Sequence, residues 1–198
     1  MIITIGREHG SSGHEIARLL AKELGLVCYD KEIVDEAAAN SQFSKEIFHS
    51  YDEKRVSTYI MPTPHFGAMH EGVRLNLQVA SAQFDAIRSL AGKGDGIFVG
   101  RCADYILRNR HDLVKVFIRG DIADRVETMM VRKNLGYDQA RKLIKEVDKD
   151  RASYYRYYTD QVWGESENYD LIVNSSKVGV DGSVKVIRAY LDAVKNKT

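Results

Sequence analysis

The chain has 198 residues, 44% of them hydrophobic, which suits one domain with a substantial core and room for a smaller inserted lobe. Lys and Arg total 29 against 28 Asp and Glu, a formal charge of +1, which excludes a global field drawing the protein to nucleic acid or to a membrane surface. Two cysteines far apart, Cys28 and Cys102, exclude a disulfide framework and a metal-spaced pair, and no segment nears the roughly 18 apolar residues of a membrane span, so a soluble, unprocessed, cytoplasmic chain is expected.

In chain order, the β-rich apolar run "IITI" at 2 to 5 leads into the glycine-rich turn "GREHGSSGHE". A helix follows from position 16, with Ile16, Leu19, Leu20 and Leu24 on one face and Gly25 at its end. The second run, "LVCY" at 26 to 29, is separated from the third, "GIFVG" at 96 to 100, by about 65 residues, far more than a crossover helix needs. That span predicts an inserted lobe over 31–91, with helices near 31 to 39 and 43 to 58, an irregular stretch around Pro62 and Pro64, and a long helix near 69 to 91. After "VKVFI" at 114 to 118, residues 121 to 163 read as helix, with Asp121 as N-cap and a break at Gly136. The fifth run, "DLIVN" at 170 to 174, precedes a last helix over about 182 to 195. Apolar runs alternating with helical patterns predict an α/β fold, a parallel five-stranded sheet with helices on both faces.

A loop such as "GREHGSSG" turns sharply and aims backbone N–H groups at an anion, while the helix behind it adds its dipole. Gly6, Arg7, Gly10, Ser11, Ser12, Gly13, His14 and Glu15 are therefore the residues to hold a phosphate. The signature G-x-x-x-x-G-K-[ST] puts a lysine and a hydroxyl where this chain has His14 and Glu15, so the missing charge would come from Arg7, from arginines of a later lid segment, or from a protonated His14. Ser12 and Glu15 also fit the S-x-x-E capping box, which would make helix initiation the task of Glu15.

Several segments in order resemble the nucleoside monophosphate kinases, and among them the cytidylate kinase-like family. "ITIGREHGSSGHEIARLLAKELGLVCYD" is similar to that family's first strand, phosphate loop, helix and second strand, ending in the acceptor-site aspartate, here Asp30. "FVGRCADYIL" at 98 to 107 resembles the strand end whose arginine, here Arg101, binds the acceptor's phosphate. "DKDRASYYRYYT" at 148 to 159 resembles the arginine-bearing lid, placed over 136–164, and "LIVNSSKVGVDG" at 171 to 182 resembles the last strand and the loop flanking the base, which carries Ser175 and Ser176. The resemblance implies a three-layer P-loop NTPase fold that binds ATP with Mg²⁺ and a small nucleotide acceptor, CMP or dCMP first. Bacterial cytidylate kinases carry the loop lysine and an aspartate where this chain has Val99, so two aids to phosphoryl transfer are absent.

The cations that would surround a transferring phosphoryl group are Arg7, Arg101, Lys149, Arg151 and Arg156. On one helix, positions 149 and 156 share a face while 151 is turned away by roughly 160 to 200 degrees, so all three cannot face one ligand. The alternating charges of "KEVDKDR" also suit a solvated helix. Asp104 would hold Arg101, approach a metal, or stabilise a helix N-terminus. Arg125 is expected in a surface pair with Asp121 or Asp124, and the aromatics of "YYRYYTDQVW" are expected to pack the lid on the domain. No histidines have metal-ligand spacing, so a structural metal is not expected. Rival readings are a nucleotide- or anion-binding regulatory protein that lost the chemistry, a kinase for a non-nucleotide small molecule, and an interaction module using the aromatic lid.

Overall fold

A computed structural model describes residues 1–54 and 66–196. The stretch around Pro62 and Pro64 lies outside these described residues.

Five strands, β1 (Ile2–Arg7), β2 (Val27–Tyr29), β3 (Gly96–Val99), β4 (Leu113–Arg119) and β5 (Leu171–Asn174), form one sheet in the order β2-β3-β1-β4-β5, with every pair parallel. In β1 the side chains alternate between two apolar layers. Ile3 and Ile5 join Ile16 and Leu20 of α1 (Gly13–Leu24) and Ile187 and Leu191 of α8 (Ser175–Lys195). Ile2 faces the opposite layer with Phe98, Ile33 of α2 (Lys31–Ala39), Phe48 of α3 (Lys45–Tyr51) and Ile87 of α4 (Phe66–Gly92). Both faces of the sheet are covered, so its strands read as unbroken apolar runs. Each fully buried isoleucine contributes about 2 kcal/mol of burial, and Ile3→Ala would cost about 2 to 5 kcal/mol. This is the three-layer α/β architecture expected.

Beyond β3, the four-residue helix α5 (Ala103–Ile106) precedes β4, and α6 (Ile122–Lys133) and α7 (Tyr137–Thr159) form a helical pair. Val126, Met129, Ala140 and Ile144 make the contact between them. Tyr154 and Tyr155 of α7 pack with Cys102, Phe84 and Trp163, which seats the aromatic end of the helix on the domain.

Several boundaries differ from the sequence reading. The helix expected over 43 to 58 ends at Tyr51, where Asp52 turns extended. The helical stretch expected to reach 163 ends at Thr159, where Asp160 adopts φ +57. Ahead of the last helix the chain already turns helical at Ser175, because the Asn174 side chain accepts from the Ser176 amide and caps an early turn; Gly179 then kinks the chain, and the helix beyond it ends at Lys195, as expected. Asp121 does precede α6, but its side chain makes no cap bond. No helix among the described residues is long and apolar enough to cross a membrane.

Candidate active site

The central strand β1 has β3 on one side and β4 on the other, so the strand order reverses at its carboxyl end, where open α/β sheets gather ligands. There the chain turns through residues 8–12 into α1. Gly10 has φ +82, and a Cβ on it would meet the Arg125 carbonyl oxygen at 2.8 Å, so the turn lies directly on α6. The buried Ser11 hydroxyl donates to the carbonyls of Glu8 (2.8 Å) and Ile118 (3.2 Å). The Ser175 hydroxyl donates to the Ser11 carbonyl at 2.8 Å, and the Ser176 hydroxyl accepts from the Asp121 amide at 2.8 Å. These hydroxyls brace the turn. The first helical bond of α1 runs from the Ile16 amide to the Ser12 carbonyl, which leaves the amides of Gly13, His14 and Glu15 at the open end of the helix.

The expected capping box does not form. Ser12 sits at φ +59, which turns its hydroxyl away from the helix amides, and both Ser12 and Glu15 instead accept from Arg132. Arg125 also departs from expectation. It lies on the buried face of α6 beside Val126 and Met129, 8% exposed, rather than in a surface pair. Its Nη1 is 2.6 Å from Asp148 of α7 and donates to the His9 carbonyl at 3.3 Å, and Asp148 accepts from the His9 amide at 2.7 Å. Asp121 meanwhile takes Asn174 and Lys177. The glycine turn is thus tied through Arg125 to α7. Burial and the nearby Arg151 charge lower the pKa of His9 to about 4, which leaves it neutral at pH 7.

Arg7, Arg101 and Arg151 converge beside this turn, from β1, the turn after β3, and α7. Arg7 Nη1 lies 2.6 Å from Glu53 Oε1, and Arg151 Nε donates to Glu53 Oε2 at 3.1 Å. Arg151 Nη1 reaches the Arg7 carbonyl at 3.0 Å. Arg101, 4% exposed, clasps Asp52 with Nε (2.8 Å) and Nη2 (2.6 Å) and meets Asp30 with Nη1 (2.9 Å). On the other side of Asp30, His14 Nδ1 approaches at 2.8 Å. Burial works to raise the pKa of Glu53, but Arg7 and Arg151 outweigh it and hold the carboxyl well below the usual carboxylate range. Asp30 is lowered in the same way, burial opposed chiefly by Arg101. Gly100 has φ +73, and any Cβ there would collide with the Arg7 guanidinium and the Glu53 carboxylate.

Of the other expected site residues, Asp104 lines a small pocket with Arg7, Glu53, Arg101 and Arg151, whereas Lys149 and Arg156 point outward. Asp104 is buried and accepts from the Tyr155 hydroxyl at 2.7 Å. Lys149 is exposed, lining an outer groove with Arg141, Lys142 and Lys145, and Arg156 is exposed as well. Of the three lid cations, the helical phase brings only Arg151 to the centre. Sequence reasoning missed Asp52, Glu53 and the Arg125–Asp148 pair. Nothing local in the sequence around Asp52 and Glu53 signals a partner 46 residues away.

A groove of about 340 Å³ lined by Arg7, Asp30, Lys31, Asp52, Arg101 and Arg151, among others, opens onto the arginine centre. Helix-start amides and guanidinium groups match the oxygens of a polyphosphate in kind and charge. Among the described residues no group of three His, Cys, Asp or Glu side chains is placed to hold a metal ion. Mg²⁺ would then draw its ligands mainly from phosphate oxygens and water, its usual habit.

The profile of the cytidylate kinase-like family matches residues 2–177. A cytidylate kinase of Methanosarcina mazei is 27% identical over 98% of this chain and 98% of its own length, and one of Methanococcus vannielii is 28% identical over 94% and 97%. Among solved structures, an uncharacterized protein of Eubacterium ventriosum superposes with a TM-score of 0.75 at 31% identity, covering 98% of both chains. A shikimate kinase of Bacteroides thetaiotaomicron superposes with a TM-score of 0.57 at 12% identity, covering 97% of this chain and 98% of its own, a likeness of fold alone.

Proposed function

The chain belongs to the cytidylate kinase-like family, and we propose that it transfers the γ-phosphoryl group of Mg²⁺-bound ATP to a small acceptor, CMP or dCMP being the first to try. The observation that carries this reading is the convergence of Arg7, Arg101 and Arg151 beside a glycine turn at the carboxyl end of the central strand. Phosphoryl transfer asks of a protein mainly positioning and positive charge, which such a centre supplies. The backbone of residues 6–14 holds the donor phosphates in this reading, and bound Mg²⁺ supplies further neutralising charge. Arg7 and Arg151 face the transferred group, and Asp30 and Arg101 orient the acceptor. The helices within 31–91 form the acceptor lobe, and residues 136–164 form the lid. Lys149 and Arg156 would join only after a rotation of α7.

Steady-state assays with MgATP across the nucleoside monophosphates test the substrate, and no turnover with any of them in clean protein would sink it. A second reading, an anion-binding regulatory protein without turnover, is favoured by one observation: the centre's arginines are paired with the chain's own carboxylates. Calorimetry showing tight ATP binding without turnover, unchanged by His14→Lys, would support it.

A further inference from the structure

We propose that the Glu53 carboxylate is a built-in stand-in for an oxyanion, and that a phosphate-bearing ligand enters the arginine centre by displacing it. The donors around Glu53 are of the kind that grip phosphate: the Arg7 guanidinium (2.6 Å), the Arg151 guanidinium (3.1 Å) and the Arg101 amide (2.9 Å). They come from the end of β1, from α7 and from the turn after β3. Glu53 comes from outside these elements, from the turn that ends α3, as does Asp52 beside it, which clasps Arg101.

Backbone strain on both sides of the contact points the same way. Glu53 has φ +50, and Gly100, Arg101 and Cys102 have φ +73, +52 and +56 in succession. Non-glycine residues in this region are strained, and such strain concentrates where a ligand is clamped. The turn aims the Arg101 amide at the Glu53 oxygen, and Gly100 is the residue that lets the Arg7–Glu53 pair lie against the backbone.

Charge and space complete the case. The guanidinium groups of Arg7, Arg101 and Arg151 are matched by the carboxylates of Asp30, Asp52 and Glu53, so among these six groups one positive charge is released when Glu53 leaves. The pocket that Glu53 shares with Gly6, Asp104 and Tyr155 has about 20 Å³, room for one water and not for a phosphate. The larger groove of about 340 Å³, which Glu53 also lines, brings a phosphoryl group to this point, and to take the donors that Glu53 now holds it must take the place of the carboxylate.

The inference rests on the proposed function only in taking the displacing group to be a phosphoryl, so the test uses inorganic phosphate and needs no turnover. Calorimetric titration of phosphate into wild type and Glu53→Gln should show binding at least tenfold tighter in the variant. Without phosphate, the variant should melt below wild type, and phosphate should raise its melting temperature more than that of wild type. Arg151→Ala in the Glu53→Gln background should abolish that gain. Phosphate binding no tighter than wild type, or a gain that survives Arg151→Ala, would overturn the proposal. Should Glu53→Gln fail to fold, Glu53→Asp keeps the charge, shortens its reach and is read by the same titration: tighter binding supports the stand-in, and equal or weaker binding overturns it. A protein that turns over no acceptor yet tightens on phosphate in the variant keeps the stand-in and loses the kinase reading. Turnover with unchanged phosphate affinity does the reverse.

Discussion

His14 Nδ1 lies 2.8 Å from Asp30 Oδ2, so the first turn of α1 is tied directly to the end of β2. Asp30 in turn holds Arg101 at 2.9 Å, which makes a short chain from the glycine turn to the groove where the acceptor is proposed to sit. His14 is 47% exposed, and pairs this exposed are worth about 0 to 1 kcal/mol. His14→Ala should therefore leave the melting temperature almost unchanged while raising the KM for the acceptor about tenfold. Equal kinetics in variant and wild type would remove His14 from the site.

Gly100→Ala should be severely destabilising. The new methyl meets the Arg7 guanidinium and the Glu53 carboxylate, and the backbone at φ +73 disfavours any side chain. Strain and forced displacement together should cost about 2 to 4 kcal/mol, read by urea unfolding. A loss under about 0.5 kcal/mol would show that the centre repacks freely.

The Arg125–Asp148 pair should behave as a buried ion pair, with Arg125 9% and Asp148 18% exposed. Arg125→Ala leaves Asp148 without its charge partner beneath the glycine turn and should cost about 3 kcal/mol. In a double-mutant cycle with Asp148→Asn, the combined loss should be smaller than the sum of the single losses, since both remove one contact. Additive losses would show that the two do not act as a pair.

Acid should destabilise the fold in two stages. The pKa of His9 is lowered to about 4 from 6.5, so between those values the unfolded chain binds the extra proton, and stability falls as pH drops through that window. Glu53 and Asp30 are also lowered, so their contributions, complete above the unfolded carboxylate values near 4, are lost as pH falls further. The melting temperature should decline from about pH 6.5 and more steeply below about pH 4.5. His9→Gln should flatten the first stage alone.

Much of the fold was legible because it rests on local pattern. Ile3 and Ile5 alternate with Ile2 and Thr4, and the apolar stripe of α1 follows the helical period, so strands and helices are written in short spans of sequence. The meeting of the arginines was legible in part: Arg7 and Arg101 stand at strand ends, where the topology gathers side chains, while helical phase said only that Arg151 and Lys149 face opposite ways and left the structure to show which turns inward. Glu53 and Arg125 were not legible, because their meaning comes from partners far along the chain, Glu53 with Arg7 and Arg125 with His9. A local charge run looks the same whether water or an arginine receives it. Ser12 misled for a related reason: S-x-x-E encodes a capping box only while Ser12 keeps an extended backbone, and the turn puts it at φ +59.

The most direct test of the account follows phosphoryl transfer from γ-labelled MgATP to CMP and dCMP in wild type, Arg151→Ala and Lys149→Ala. The account predicts turnover in wild type, a loss of at least a hundredfold in kcat for Arg151→Ala, and little change for the exposed Lys149→Ala. Labelled product formed equally by Arg151→Ala and wild type, or no labelled product from wild type with any nucleoside monophosphate, would contradict it.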